Sequence, residues 1–309
     1  YFLTFLGAPI TLFEIFPFIF LISTQFLFYD LFKKEELNLL KSNGLSNIKI
    51  IKILFFTAIV IGIFTVVIYY NTASKLKFFY TDIKNTFSND NKYLAVVTDS
   101  GLWLKDEINN ETIIVKANYI KENFLISVII NKFDNNFNLI NTIQSEKVNI
   151  DNKKWILDDP LITNNNISKK FNDKFEFETN FDKQKINTLF SNISTLNIIE
   201  LFGLKRDYQK LGYSSDEITI HLLKLFSTPF FYGVLTILSS IIMFRFKKDK
   251  SLIFHVLLGI LMSVIIYYVN FMFSSLGNSG KIPIVTSIFL PILFISLISI
   301  IGLISINEK

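Results

Sequence analysis

The chain has 309 residues, is 50% hydrophobic, carries a formal net charge of +5, and contains 34 Phe and no Cys. A mean hydropathy of +0.42 points to several membrane spans rather than one large soluble core. The missing Cys excludes disulfides and thiolate metal sites.

Five apolar stretches reach the roughly 18 residues that a helix needs to cross hydrocarbon: 9–29, 53–74, 225–244, 251–280 and 282–307. Glu14 is the one charged side chain inside them. It sits near an end of its run, where interfacial water and a helix dipole lower its cost, and it reads either as an interfacial acid or as a transport residue.

Between the first two runs lies LFKKEELNLLKSNGLSNIKIIK (31–52). Leu37 and Leu40 fall three apart on one face, with Glu36 and Lys41 beside it. Asn43-Gly44 is a helix stop and Ser46 a cap for the next helix. A short amphipathic helix is predicted over about 33–43. Lys75, Lys77 and Lys84 follow the second run. As point charges they fit either phosphate contact or anchoring at a membrane interface.

From about 92 to 181 the hydrophobic period changes to two. FLISVIINKF, a DNN turn, FNLINTIQ, KVNI, a DNKK turn, WILDD and KFEFETNF read as short strands joined by Asn/Asp turns. That pattern predicts an antiparallel β-sandwich or related roll. Trp103 and Trp155 are expected in its core. Ile126, Val128 and Ile130 are expected on an inward face that forms either a closed core or an open acyl-binding groove. After Phe181 the pattern turns helical, with Gly212 as a stop and Ser214 or Ser215 as the next cap. The resulting division is 1–74 (two spans), 75–220 (the β domain with helical connections) and 221–309 (three spans).

In the fourth run Gly259, Ser263 and Tyr267 recur every four residues on one helix face. Such a face suits a gate that packs closely yet separates, and equally a static helix–helix seam. His221 and His255 lie at or inside spans with no carboxylate at metal-ligand spacing, which favours hydrogen-bonded or interfacial roles. GNSGKIP (277–283) has the flavour of a phosphate loop. Its glycine spacing is too short, Ile282 stands where a Ser or Thr should bind Mg²⁺, and no strand precedes it. It reads as a tight turn, with Pro283 starting the next helix. No catalytic constellation is present and nothing implies nucleic acid.

Lysines set the expected orientation. Lys33, Lys34, Lys41, Lys49 and Lys52 occupy the first loop, and Arg245, Lys247, Lys248 and Lys250 the loop RFKKDK, whereas SSLGNSGK has only Lys281. The two basic loops are expected in the cytoplasm and the β domain outside. The same count puts Tyr1 outside, so one span is expected to precede it, making six in the intact protein.

PITLFEIFPFIFLISTQFLF followed by EELNLLKSNGLS resembles the LptF/LptG permease family (YjgP/YjgQ), whose segment reads Pro, Glu-Ile/Leu-x-Pro, Glu-Leu, a short helix, then Gly-x-Ser/Thr. SGLWLKD (100–106) resembles the first strand of that family's periplasmic domain. GILMSVIIYYVN and SLGNSGKIPIVTSIFLP resemble its fifth span and the turn into the sixth, with a likeness closer to LptG than to LptF. The similarity covers nearly the whole chain in the family's order.

The resemblance implies a polytopic α-helical membrane protein with an inserted periplasmic jellyroll-like domain. It implies a non-catalytic permease subunit in the inner membrane of a Gram-negative bacterium, exporting lipopolysaccharide. Implied partners are an LptF-type permease, a cytosolic LptB-type ATPase dimer that binds ATP and Mg²⁺, LptC and an LptA-type bridge. Glu36, Leu37, Leu40 and Gly44 then match the helix that meets the ATPase. Gly259 and Tyr267 match a lateral gate, and Lys75, Lys77 and Lys84 lie where the family carries basic residues. The rival classes are a membrane-anchored sensor or scaffold and an FtsX/MacB-type mechanotransmitter. The latter places its large outer domain after the first of four spans, whereas two spans precede it here.

Overall fold

A computed structural model describes residues 2–87, 102–121, 123–164, 167–189, 192–245 and 251–307. Ser100, Lys247, Lys248 and Lys250 lie outside the described residues, as does the start of the period-two region near 92. The chain divides into two compact units: Tyr1–Lys77 with Asn197–Leu201 and Ser215–Lys309, and Phe78–Leu196 with Phe202–Ser214.

The first unit is a helical bundle. Among the described residues, five helices are long and apolar enough to cross a membrane: Leu3–Lys33, Asn47–Lys84, Asp216–Phe244, Ile253–Asn278 and Ile284–Ile306. The first three apolar runs of the sequence each fall inside one of them, and the last two slightly outrun theirs. The first three helices outrun their apolar stretches because nothing at the polar ends breaks them. Thus α1 spans Phe2–Lys33 and α7 spans Asp216–Arg245, while α8 (Leu252–Asn278) and α9 (Ile284–Asn307) follow. Ser215, one of the two expected caps, accepts the Thr219 N–H at its carbonyl. The second span is α3 (Asn47–Phe64), a π-helical turn (Thr65–Tyr70) and the start of α4 (Asn71–Phe87).

Helix α7 is the hub of the bundle. The most apolar part of α7 is 61% buried, against 17% in α1 and α8. Small residues explain its closest contact. A Cβ on Gly62 of α3 would stand 2.6 Å from the Cα of Pro229 in α7, and one on Gly233 would stand 2.7 Å from the Phe55 ring. Without hydrophobic pressure between helices in lipid, such close backbone approach supplies the packing. Ser239 Oγ of α7 donates to the Leu21 carbonyl of α1 at 2.8 Å, a polar tie inside an apolar seam.

The second unit holds a nine-stranded antiparallel sheet on the path β1-β2-β4-β5-β6-β9, with β3 on β4, β7 on β5 and β8 on β7. The strands are Leu102–Ile108, Glu111–Ala117, Tyr119–Lys121, Phe124–Phe133, Leu139–Asn149, Lys154–Asp158, Leu161–Asn164, Ile167–Lys170 and Phe175–Glu178, β1 to β9 in order. FNLINTIQ and KVNI, read separately from sequence, lie on one strand, β5. The DNN turn forms as expected: Asp134 accepts the Asn136 and Asn138 N–H groups at 2.9 and 2.8 Å. The Asn138 donors hold the Asp134 carboxyl below its ordinary range. Helices α5 (Lys183–Leu189) and α6 (Ile198–Leu211) follow, and Gly212 ends α6 at φ +74°.

Two core expectations need correction. Trp155 is fully buried and donates Nε1–H to the Phe181 carbonyl at 2.9 Å. Trp103 is 45% exposed, because Leu102, Leu104 and Asp106 take the inward positions of β1. Its ring lies beneath Lys116 Nζ, 5.1 Å from the centroid, on the paired residue of β2. The expected inward set Ile126, Val128, Ile130 is also interrupted. Leu125, Val128 and Ile130 are buried, while Ile126 is half-buried. Ser127 has φ +52°, which turns the following side chains over. The neighbouring strands shift phase at the same level, with buried pairs Ile120/Leu125, Leu125/Val148 and Val128/Ser145. Strict alternation could not reveal this line.

Asp106, 3% exposed, anchors β1 to the end of β9. Its carboxylate accepts from Thr179 Oγ1 at 2.7 Å and from Asn180 N, Asn180 Nδ2 and Glu107 N at 2.9 Å. Asp106→Ala strips these buried donors of their acceptor at once. It is expected to cost the second unit about 3 kcal/mol, read as an earlier loss of β-sheet circular dichroism on heating the full chain.

Candidate functional site

The segment between the first two spans folds into a rigid rod. Helix α2 spans Glu36–Ser42, shorter than the 33–43 expected because α1 continues to Lys33 and the chain then turns sharply. Glu35 makes that turn at φ +59°, a left-handed conformation that is costly for a side chain other than glycine. Asn43-Gly44 stops the helix as predicted. With Gly44 at φ +86°, its N–H donates to the Lys41 carbonyl at 3.0 Å and the Leu45 N–H to the Leu40 carbonyl at 3.1 Å. This pair of reverse bonds is the Schellman stop. Ser46 Oγ then accepts the Lys49 N–H at 3.3 Å and starts α3.

The two faces of α2 differ in kind. Leu37 is buried with Phe28 of α1, Ile50 and Ile51 of α3 and Met243 of α7, and Leu40 packs against the same cluster. These leucines fasten the rod to three spans. Glu36 is exposed, and Leu39, three residues on, is 62% exposed. Sequence inspection missed Leu39; in a cluster of leucines only packing tells the outward one. The same end of α1 carries an ion pair of Lys34 Nζ with Asp30 Oδ2 at 2.8 Å. The hydrogen bond that Lys34 donates to Asp30, followed by the charge of that carboxylate, raises the Lys34 pKa.

The opposite end of the bundle gathers polar groups that sequence reading left apart. Tyr70, the last residue of the π turn, is fully buried and lies 2.8 Å from His221 Nε2 of α7. His221 is therefore a hydrogen-bonded histidine, one of the roles expected for it. Tyr69 donates to the Pro9 carbonyl at 3.0 Å, and Asn71 Oδ1 accepts the Ile198 N–H at 3.1 Å. Glu14 and Lys224 lie within electrostatic range of each other. A π turn widens the helix by one residue per turn and commonly marks functional positions.

Lys75 and Lys77 do not form one patch. Lys75 and Lys77 are two residues apart on the helix α4, so they project from opposite sides of it. Lys84 lies over the Tyr80 ring at 5.9 Å from its centroid. The residues of the fourth span also separate. A Cβ on Gly259 would collide with Gln25 of α1 in the same chain, whereas Tyr267 is 52% exposed beside Phe18 and Phe271. Ser263 is buried on the Gly259 side. The face drawn from sequence is therefore an internal seam at one end and open surface at the other. Among the described residues no group of three or more His, Cys, Asp and Glu is placed to hold a metal ion.

Comparison with curated proteins finds no match. The profile of the family described as "Lipopolysaccharide export system permease LptF/LptG" matches residues 2–305, continuous through both helical segments and the inserted sheet. With that span matched and the five helices and β insertion in the expected order, the chain belongs to the LptF/LptG family of lipopolysaccharide export permeases.

Proposed function

We propose that this chain is a transmembrane subunit, LptG-like, of an ATP-driven exporter that lifts lipopolysaccharide from the inner membrane of a Gram-negative bacterium. An LptF-type chain would enclose the lipid path with it. An LptB-type ATPase dimer would bind ATP and Mg²⁺ in the cytosol, and LptC and an LptA-type bridge would receive the lipid in the periplasm. The chain itself moves lipid and hydrolyses nothing.

The observation that carries this reading is α2, a short rod anchored by Leu37 and Leu40 with Glu36 and Leu39 facing outward. A push on that face reaches α1 and α3 together because both flank the rod without a flexible linker. The ends of α1 and α7 meet α2 in one cluster, so both lysine-rich loops leave the same end of the bundle. That agrees with cytoplasmic placement of both. Tyr267 with the exposed apolar face of α8 would meet the partner subunit as a lateral gate, while Gly259 serves the seam behind it. Lys75, Lys77 and Lys84 would meet lipid phosphates.

Reconstituted in proteoliposomes with these partners, the intact protein should release lipopolysaccharide only when ATP is supplied. An assembled, ATP-hydrolysing complex that releases none would overturn the exporter reading, and recovery of the chain alone from membranes would favour a sensor or scaffold. In the same assay Lys75→Ala/Lys77→Ala/Lys84→Ala should lower lipopolysaccharide photocrosslinking several-fold. Equal crosslinking would remove the lysines from the path.

A further inference from the structure

The seam between α1 and α8 holds polar side chains in an apolar setting. The two helices run antiparallel, with Gln25 against Gly259, Tyr29 against His255 at 6.2 Å between rings, and Phe18 against Tyr267 at 6.1 Å. Leu21, Leu258, Met262 and Ile266 pack around this line. Within it Gln25 is 1% exposed, His255 3% and Ser263 5%. Gln25 Nε2 and Oε1, His255 Nε2 and Ser263 Oγ have no hydrogen-bond partner among the described residues.

The chemistry of these atoms is complementary. His255 Nδ1 lies 3.0 Å from the Ser251 carbonyl, which can only accept. Nδ1 therefore carries the proton and Nε2 is left an acceptor. Gln25 offers two N–H donors and a carbonyl acceptor, and Ser263 offers one donor and two lone pairs. His255, Gly259 and Ser263 stand four residues apart on one face, so Gln25, opposite Gly259, lies between the other two, one helical turn from each. No direct hydrogen bond joins the three side chains, and one water among them can serve all three. The amide oxygen of Gln25 occupies the space a Cβ on residue 259 would take, so glycine there is what admits the carboxamide.

We propose that Gln25, His255 and Ser263 form a buried water-binding site in the α1–α8 seam, seated by Gly259. Unpaired polar groups in hydrocarbon cost several kcal/mol each, and buried water resides where several polar partners converge. The site distinguishes this seam from the dry contact of Gly62 with Pro229. Water re-bridges polar groups after a small slide, so α8 can shift against α1 without stranding them, whereas α3 and α7 are locked by backbone contact.

Two measurements on the full chain in detergent test this. Hydroxyl-radical labelling of Met262, half-buried beside Ser263, is read as a ratio to Met272, which is 52% exposed. That ratio should fall several-fold in Gln25→Leu/Ser263→Ala, which removes the partners of the water. In a thermal cycle, Gln25→Leu and Ser263→Ala should each lower the melting temperature by several degrees, and the double variant should lose no more than the worse single one. An unchanged Met262 to Met272 ratio in the double variant overturns the water site even if the cycle is non-additive, since the side chains would then pair directly. A rise in melting temperature on Gln25→Leu also overturns it, because that is the response of an orphaned amide.

Discussion

Glu36→Lys is expected to leave the chain inserted and folded while reducing ATP-driven lipopolysaccharide release roughly thirtyfold. The side chain is exposed, and charge changes at exposed positions move stability by about 0.5 kcal/mol or less. At the proposed ATPase contact a reversed charge would meet a basic group as repulsion, a penalty of about 2 kcal/mol or more. Two companion variants separate a partner contact from an anchor. Leu39→Ala removes outward apolar surface and should weaken ATPase co-purification with little change in melting temperature. Leu37→Ala opens a cavity among Phe28, Ile50, Ile51 and Met243 and should cost about 2–5 kcal/mol of stability. Coupled ATPase and transport rates in proteoliposomes read the first two, and thermal unfolding in detergent reads the third. Unchanged transport in Glu36→Lys removes the coupling role.

Gly62→Leu is expected to be the most damaging single substitution in the bundle. The added Cβ would stand 2.6 Å from Pro229 Cα and 3.3 Å from the Tyr232 ring. Backbone cannot rotate away as a flexible side chain can, so α3 and α7 must separate along their length. Overpacking a tight interior costs about 1–3 kcal/mol and occasionally more. A clash with backbone at the hub helix belongs at the upper end or above it. Gly203→Leu is the control, because nothing lies within 4 Å of a Cβ there. Thermal unfolding should show a large drop for Gly62→Leu and a small change for Gly203→Leu. A wild-type melting temperature in Gly62→Leu would mean that α3 and α7 do not meet at these residues.

The spans, the stop at Gly44, the cap at Ser46 and the turn at Asp134 were legible in the sequence because each is a local effect. Runs of apolar residues, a glycine with positive φ and a side chain closing on a nearby N–H depend on neighbours a few residues away. Trp103 and Ile126 were misread because a strand's period of two says which residues share a face, and not which face the core takes or where the phase slips. Ser127 carries no mark in the sequence of its left-handed turn.

The candidate site divides along the same line. The rod that carries Glu36, Leu37 and Gly44 was legible because its amphipathic face and its stop are written in adjacent residues. The roles of Leu37 and Leu39 were separated only by packing: Phe28, Ile50, Ile51 and, more than two hundred residues away in the chain, Met243 cover one leucine and not the other. Likewise Tyr70 met His221, and Gln25 met Gly259, through helix packing. By itself the sequence determined that five helices of spanning length flank a β insertion, since hydrocarbon and local hydrogen bonding demand it. Which polar groups are buried, and opposite what, was decided by tertiary structure alone, because contact across a bundle depends on the rotation of whole helices that no local pattern encodes.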